Sequence, residues 1–221
     1  MKLIGHNFFL AFLVVAFGVC FQGKDALAAT VVQWTTGPNA NNHYYYVTDN
    51  TMSWMDADTL ATNMGGYLVA VNNQDEQDFI NDTILTGSNQ NDAFWTGLND
   101  AATENTFVWT SGETFDPNNW NNWGSGEPNN FTGGVAAGVG EDYVALNWQF
   151  ANNVFGTKGQ WNDVPNNGCT PNCDTTQPYR AIIELTTAPA VPIPAALWLM
   201  GSALAGLFGF SWLGRVKVRV D

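Results

Sequence analysis

Positive charge is almost missing from the interior of this chain. Of its seven Lys and Arg residues only Lys158 and Arg180 lie between residues 29 and 190, against 18 of the 20 Asp and Glu, a net of −16 for that stretch. A surface of that sign repels phosphate backbones and anionic headgroups, so nucleic acid is excluded as a partner. Histidine is reduced to His6 and His43, and cysteine to Cys20, Cys169 and Cys173. A closed zinc site takes four nitrogen or sulfur ligands, and neither histidine is near the cysteine pair, so zinc is not expected. In an oxidising compartment Cys169 and Cys173, separated by Thr-Pro-Asn, close a small disulfide loop. A nucleophile with an adjacent base is also missing, and His43 beside an aromatic run reads as structural, so the chain is not expected to be an enzyme.

Long apolar runs are confined to the two ends. Lys2, the apolar residues 8–21 and Ala26-Leu27-Ala28 have the order of a secretory signal peptide over residues 1–28, with the mature chain starting at Ala29. Residues 195–214 carry no charge and have the length of about 20 residues that a bilayer-crossing helix needs. Arg215, Lys217 and Arg219 follow, which places the tail inside and residues 29–190 outside. Residues 191–221, opening on Val191-Pro192-Ile193-Pro194, resemble the PEP-CTERM sorting signal of Gram-negative bacteria that carry an exosortase, with Ile193 where the namesake motif has Glu. The resemblance implies attachment to the membrane through this segment and handling by an exosortase-type processing enzyme. It also implies a final location at the cell surface, outer membrane or extracellular matrix. Residues 29–190 remain as one domain, long enough for a single core.

Within that domain the aromatic and β-branched residues 42–48 predict a strand. Residues 51–63 predict a helix, with Thr51 or Ser53 as its cap, Trp54, Ala57, Leu60, Ala61 and Met64 at helical spacing, and Gly65-Gly66 as its stop. Residues 67–71 predict a strand, 73–84 a second helix with Phe79, Ile80 and Ile84 inward, and 94–98, 143–148 and 179–185 further strands. From 99 to about 140 the sequence reads as loop, too long to be idle in a compact domain.

That loop region and its sequel are rich in hard oxygen donors: Glu127-Pro128-Asn129, then Glu141-Asp142, then Asn162-Asp163 after Trp161. Calcium takes six to eight such oxygens, whereas zinc and other softer ions favour His or Cys. Any one of these residues is an ordinary turn former, but the set as a whole points to a cation. In register with them stand Gly65-Gly66-Tyr67-Leu68-Val69, Asp75-Glu76-Gln77, Trp95-Thr96-Gly97-Leu98, Trp120 and Trp123, Gly140-Glu141-Asp142 and Trp161-Asn162-Asp163. Together they make residues 42–185 resemble a C-type lectin-like domain of the EPN and WND type.

The resemblance implies an α+β fold with two helices, small antiparallel sheets and a long calcium-binding loop region. It implies a principal Ca2+ held by Glu127, Asn129, Glu141, Asn162 and Asp163, which also bind two vicinal sugar hydroxyls, and an auxiliary Ca2+ at Asp100, Glu104, Glu141 and Asp142. The EPN order implies mannose-type glycans, or an exopolysaccharide presenting equivalent hydroxyls, rather than galactose. Three departures stand out. The positions of the usual bracing cysteines hold Ala61, Tyr143 and Ile183, with Cys169 only near the fourth, and residues 130–140 form a longer, Gly-rich insertion. Many members of the fold also bind protein without calcium, which leaves a calcium-stabilised protein-binding or biofilm-matrix module as the rival expectation. Trp54, Trp95, Trp109, Trp123, Trp148 and Trp161 read as core, and Trp120, among asparagines, as the one facing a sugar.

Overall fold

The computed structural model of the protein describes residues 31–148, 157–170 and 173–189. The expected signal peptide at 1–28 and sorting signal at 191–221 lie outside the described residues. Within those residues no helix is long and apolar enough to cross a membrane.

Strand β1 (Val31–Gln33) pairs antiparallel with β2 (Tyr44–Val47), and β2 with β8 (Arg180–Leu185), which brings the two ends of the domain side by side. Helix α1 (Trp54–Asn63) begins where Ser53 accepts a hydrogen bond from the Asp56 N–H, so Ser53 rather than Thr51 is the cap. Its buried face is Trp54, Ala57 and Ala61, and the chain turns off it at Gly65 with φ of +79°. Gly66 then passes so close to β8 that a Cβ would sit 2.2 Å from the Glu184 carbonyl oxygen, which only glycine permits.

Strand β3 (Tyr67–Leu68) is shorter than expected. Val69, Ala70 and Val71 are fully buried and leave the regular ladder: Val69 still bonds the Ile182 carbonyl and the Gly97 N–H, both at 2.9 Å, while the Ala70 N–H turns to the Glu184 carboxylate. Helix α2 (Gln74–Phe79), capped by the Asn73 side chain, widens at Ile80–Ile84 into a π-helical turn closed by the Leu85 N–H on the Ile80 carbonyl.

Strands β4 (Phe94–Asn99), β5 (Val108–Trp109), β6 (Tyr143–Leu146) and β7 (Trp161–Val164) complete the sheet in the order β1-β2-β8-β4-β6-β7, with β3 on β8 and β5 on β4. All pairings are antiparallel except β4 with β8, so the sheet is mixed rather than wholly antiparallel. The expected loop from 99 to 140 therefore contains β5, and the Trp-Asn-Asp segment, read as loop donors, is a strand. Trp54, Trp95, Trp109, Trp148 and Trp161 are buried, as is Trp34, while Trp120 and Trp123 are half-buried against the core.

Two acids are buried together. Glu76 accepts from the Tyr45 hydroxyl at 2.7 Å and the Asn72 N–H at 3.0 Å. Glu184 takes His43 Nδ1 at 2.7 Å, Asn41 at 3.2 Å and the Ala70 N–H at 3.2 Å. Both carboxyls are pushed above the ordinary range by burial, with the Glu184 charge adding to the effect at Glu76 and the Glu113 charge at Glu184. The folded state thus holds protons that the unfolded chain has released. Its stability is full below the ordinary carboxylate range and drains away as pH rises through neutrality.

In Glu76→Gln the amide keeps the shape, and the Tyr45 hydroxyl can reverse its role. Unfolding by urea at pH 5 and pH 8 in chelator should show the variant losing about 1 to 2 kcal/mol less than the parent over that interval. An equal loss in both would contradict the buried-pair account.

Candidate functional site

The site is assembled on β7. Its Trp161 N–H donates to the Asn122 carbonyl and its carbonyl accepts from Gly124, both at 2.8 Å, so the long loop is stitched to the strand by main-chain bonds. Two residues on, the strand reaches Asp163, whose two carboxylate oxygens accept the N–H groups of Asn129 at 3.1 Å and Asn130 at 2.8 Å. The peptide between Glu127 and Pro128 is cis. The Glu127 carboxyl lies against that of Asp163, close enough for the pair to share a hydrogen bond.

Glu141 closes the group from the other side. Its Oε2 accepts from the Phe131 N–H at 2.9 Å, while its own N–H donates to Asn130 Oδ1 at 2.9 Å. These two bonds pin the neck of the 130–140 insertion, so its length does not displace Glu141. The insertion itself folds into a 3₁₀ turn at Gly134–Ala136 with Ala136 buried. The Val135 N–H donates to the Cys173 carbonyl at 2.7 Å, and Gly134 packs so tightly on that carbonyl that a Cβ would come within 2.0 Å. Cys169 and Cys173 are bonded to each other, S–S 2.07 Å, and Cys173 Sγ rests 3.4 Å from Glu141 Oε1. The sulfurs and the carboxylate are clustered within 4.8 Å, but sulfurs joined in a disulfide offer no thiolate to a metal.

The structure therefore brings the Glu127, Glu141 and Asp163 carboxyls together, with Asn162 next to Asp163 on β7 and Asn129 held beside Asp163 by its main chain, its side chain exposed. Glu141, Asn162 and Asp163 are at most 4% exposed. Burial raises the Glu127 carboxyl to about 7, with the charge of Asp163 next in importance, and raises Glu141 to about 8, with Asp163 and Glu127 contributing. Asp163 is also raised by burial. Two buried acceptors have no partner at all: Glu127 Oε2 and Asn162 Oδ1. An unsatisfied buried polar atom costs about 1–3 kcal/mol, more when charged, so a pair of them beside three carboxyls calls for a cation.

The described residues supply none. Lys158 and Arg180 are the only lysine and arginine among the described residues. Lys158 Nζ donates to the Asn81 carbonyl at 2.6 Å, and Arg180 bonds Asn89 and Asp92. The donor set, all hard oxygen, fits calcium and not a softer ion.

A second acidic group adjoins the first. Asp100 donates its N–H to the Asp142 carbonyl at 3.0 Å, its Oδ2 accepts from the Asn105 N–H at 2.8 Å, and its buried Oδ1 has no partner. Burial, then the charges of Glu104, Asp142 and Asp163, raises Asp100 to about 6. Burial and Glu104 also raise Asp142. Glu104 is exposed.

The fold is shared with known proteins. The sequence model of the family described as Lectin C-type domain matches residues 50–171. Lithostathine-1 of Mus musculus is 31% identical over 133 residues, spanning 58% of this chain and 79% of that protein. A lectin of Pleurodeles waltl is 28% identical over 172 residues, spanning 76% and 86%. The trimeric structure of the Kupffer cell C-type lectin receptor Clec4f superposes with a TM-score of 0.50 at 25% identity, over 71% of this chain and 85% of that one. The chain belongs to the C-type lectin domain family. Its fold is the C-type lectin fold, α+β with two helices and a mixed sheet.

The residue that sequence reasoning passed over is Asn130. Its φ of 44° and its bond to Glu141 make it the clasp of the insertion, and the signal available was an Asn directly after the EPN triplet. Asn130→Gly should lose about 1 kcal/mol, for the hydrogen bond alone. Asn130→Ala should lose roughly 1–2 kcal/mol more, because alanine resists the left-handed backbone. Equal stability of the two variants in chemical unfolding would rule the clasp out.

Proposed function

We propose that this protein binds carbohydrate through a calcium ion held by Glu127, Asn129, Glu141, Asn162 and Asp163, with a preference for mannose-type over galactose-type hydroxyls. Relatives in the C-type lectin family support carbohydrate binding in general. The observation that carries the reading for this chain is the pair of buried, partnerless acceptors Glu127 Oε2 and Asn162 Oδ1, at and next to a cluster of three carboxyls that no lysine or arginine of the described residues neutralises. Calcium, when bound, supplies the positive charge that these oxygens lack and open coordination positions for sugar hydroxyls.

The protein's own part is directional. Carboxylate oxygens of Glu127 accept from a hydroxyl, and the exposed Asn129 amide donates to one, so the order of acceptor and donor selects hydroxyl geometry. Asp163 keeps both in place, since its carboxylate grips the Asn129 and Asn130 N–H groups. The adjoining Asp100, Glu104 and Asp142, with Glu141, form a second calcium position in the same reading. We further infer export, from the apolar ends of the sequence, to a bacterial cell surface, outer membrane or extracellular matrix, with an exosortase-type enzyme acting on residues 191–221.

Titration of the full chain with mannose and with galactose, in calcium and in chelator, tests the reading. Mannose should bind in calcium only, galactose more weakly, and Asn162→Ala and Asp163→Ala should each weaken both calcium and mannose by roughly tenfold or more. Mannose binding that survives either substitution would remove the site. Calcium binding without any sugar would favour a calcium-stabilised protein-binding or matrix module instead.

A further inference from the structure

Beside the aromatic residues that pack on Trp161 lies a cavity of about 370 Å³ that this function does not use. Trp109, Phe115 and Trp120 form its aromatic walls, and Asn72, Asp116 and Asn119 are among its polar lining residues. No residue of the calcium set lines it.

Its walls are fixed in place. The Asp116 carbonyl accepts from both Asn119 and Trp120 N–H at 3.1 Å, and its Oδ1 accepts from the Asn118 N–H at 3.0 Å, which sets the turn presenting Asn119 and Trp120. The Trp120 ring meets Trp161 edge-on at 5.2 Å, and Phe115 meets Trp109 edge-on at 5.9 Å, so neither aromatic wall is free to swing. Asn72 is anchored through its main chain on Glu76.

What these groups leave unmet identifies the ligand. Trp109 is 3% exposed, and its Nε1–H has no partner. The side-chain amides of Asn72 and Asn119 also form no hydrogen bond with the described residues. The lining thus combines aromatic faces, one indole donor without an acceptor, amides that both donate and accept, and the carboxylates of Glu113 and Asp116. A pyranose ring carries an apolar C–H face and a rim of hydroxyls that donate and accept at once, which satisfies this set. Anionic ligands find no basic group here and two carboxylates. An organic ammonium ion would suit the rings and the acids but would leave the indole and amide N–H groups unanswered.

We propose that this cavity is a second carbohydrate site, independent of calcium, for a neutral hexopyranose unit. It lets one domain grip a polysaccharide at two places.

Saturation-transfer NMR on the full chain in excess chelator tests it, with methyl α-mannoside, methyl β-glucoside and methyl β-galactoside as probes and choline as the cationic control. At least one pyranoside should receive saturation without calcium, Trp120→Ala should remove the effect, and the exposed Asn119→Ala should weaken it severalfold even if the tryptophan variant misfolds. Asn162→Ala should leave it unchanged, which separates this site from the calcium-dependent one. No transfer to any of the three sugars, transfer to choline alone, or transfer unaltered in Asn119→Ala would overturn the proposal.

Discussion

Like charge buried without a counter-charge is the constraint on which the loop half of this molecule depends. Glu127, Glu141 and Asp163 converge on a space that the protein's own Lys158 and Arg180 do not reach, since both are committed elsewhere. Three carboxylates so placed would repel one another and the loops that carry them. The protein answers with main-chain donors: Asn129 and Asn130 on Asp163, and Phe131 on Glu141. Those bonds fix the geometry but do not neutralise the charge, as the raised carboxyls show. A divalent ion would complete what the hydrogen bonds begin.

The scaffold that tolerates this is aromatic and apolar. Trp161 lies at its centre, buried, with Trp109, Trp120 and Trp123 around it at 5.2 to 5.8 Å and its Nε1–H on Gln77 at 3.0 Å. Where the family's bracing cysteines would stand, Ala61 and Ile183 are fully buried in one apolar cluster. The remaining disulfide is local, and it has a different task. Through the Cys173 carbonyl it anchors the insertion, and through its sulfurs it backs Glu141. Bracing has moved from the frame of the fold to the edge of the site.

Much of this was legible from residue order, and the exceptions have physical causes. Helix α1 could be read because its cap, apolar spacing and terminal glycines agree. Strand β7 could not, because Asn and Asp are turn formers by propensity and hold a strand here only through pairing with β6 and the stitching to residues 122 and 124. The parallel pairing of β4 with β8 joins residues far apart in sequence, and no local pattern encodes it. The second helix read as continuous to residue 84, since a π-helical turn keeps the apolar positions nearly in phase. The acids that converge in the structure were visible in the sequence as a group of hard oxygen donors. The clasp at Asn130, the buried Glu76 and Glu184, and the partnerless Nε1 of Trp109 were not, because burial and pairing are properties of the fold.

The central claim is that the carboxyl cluster is built around calcium, and thermal unfolding of the full chain in calcium and in chelator tests it most directly. At about a hundredfold excess over its dissociation constant, calcium should add about 2.7 kcal/mol of stability. For a domain of this size that raises Tm by roughly 5–10 °C. A Tm that is the same in calcium and in chelator would contradict the account.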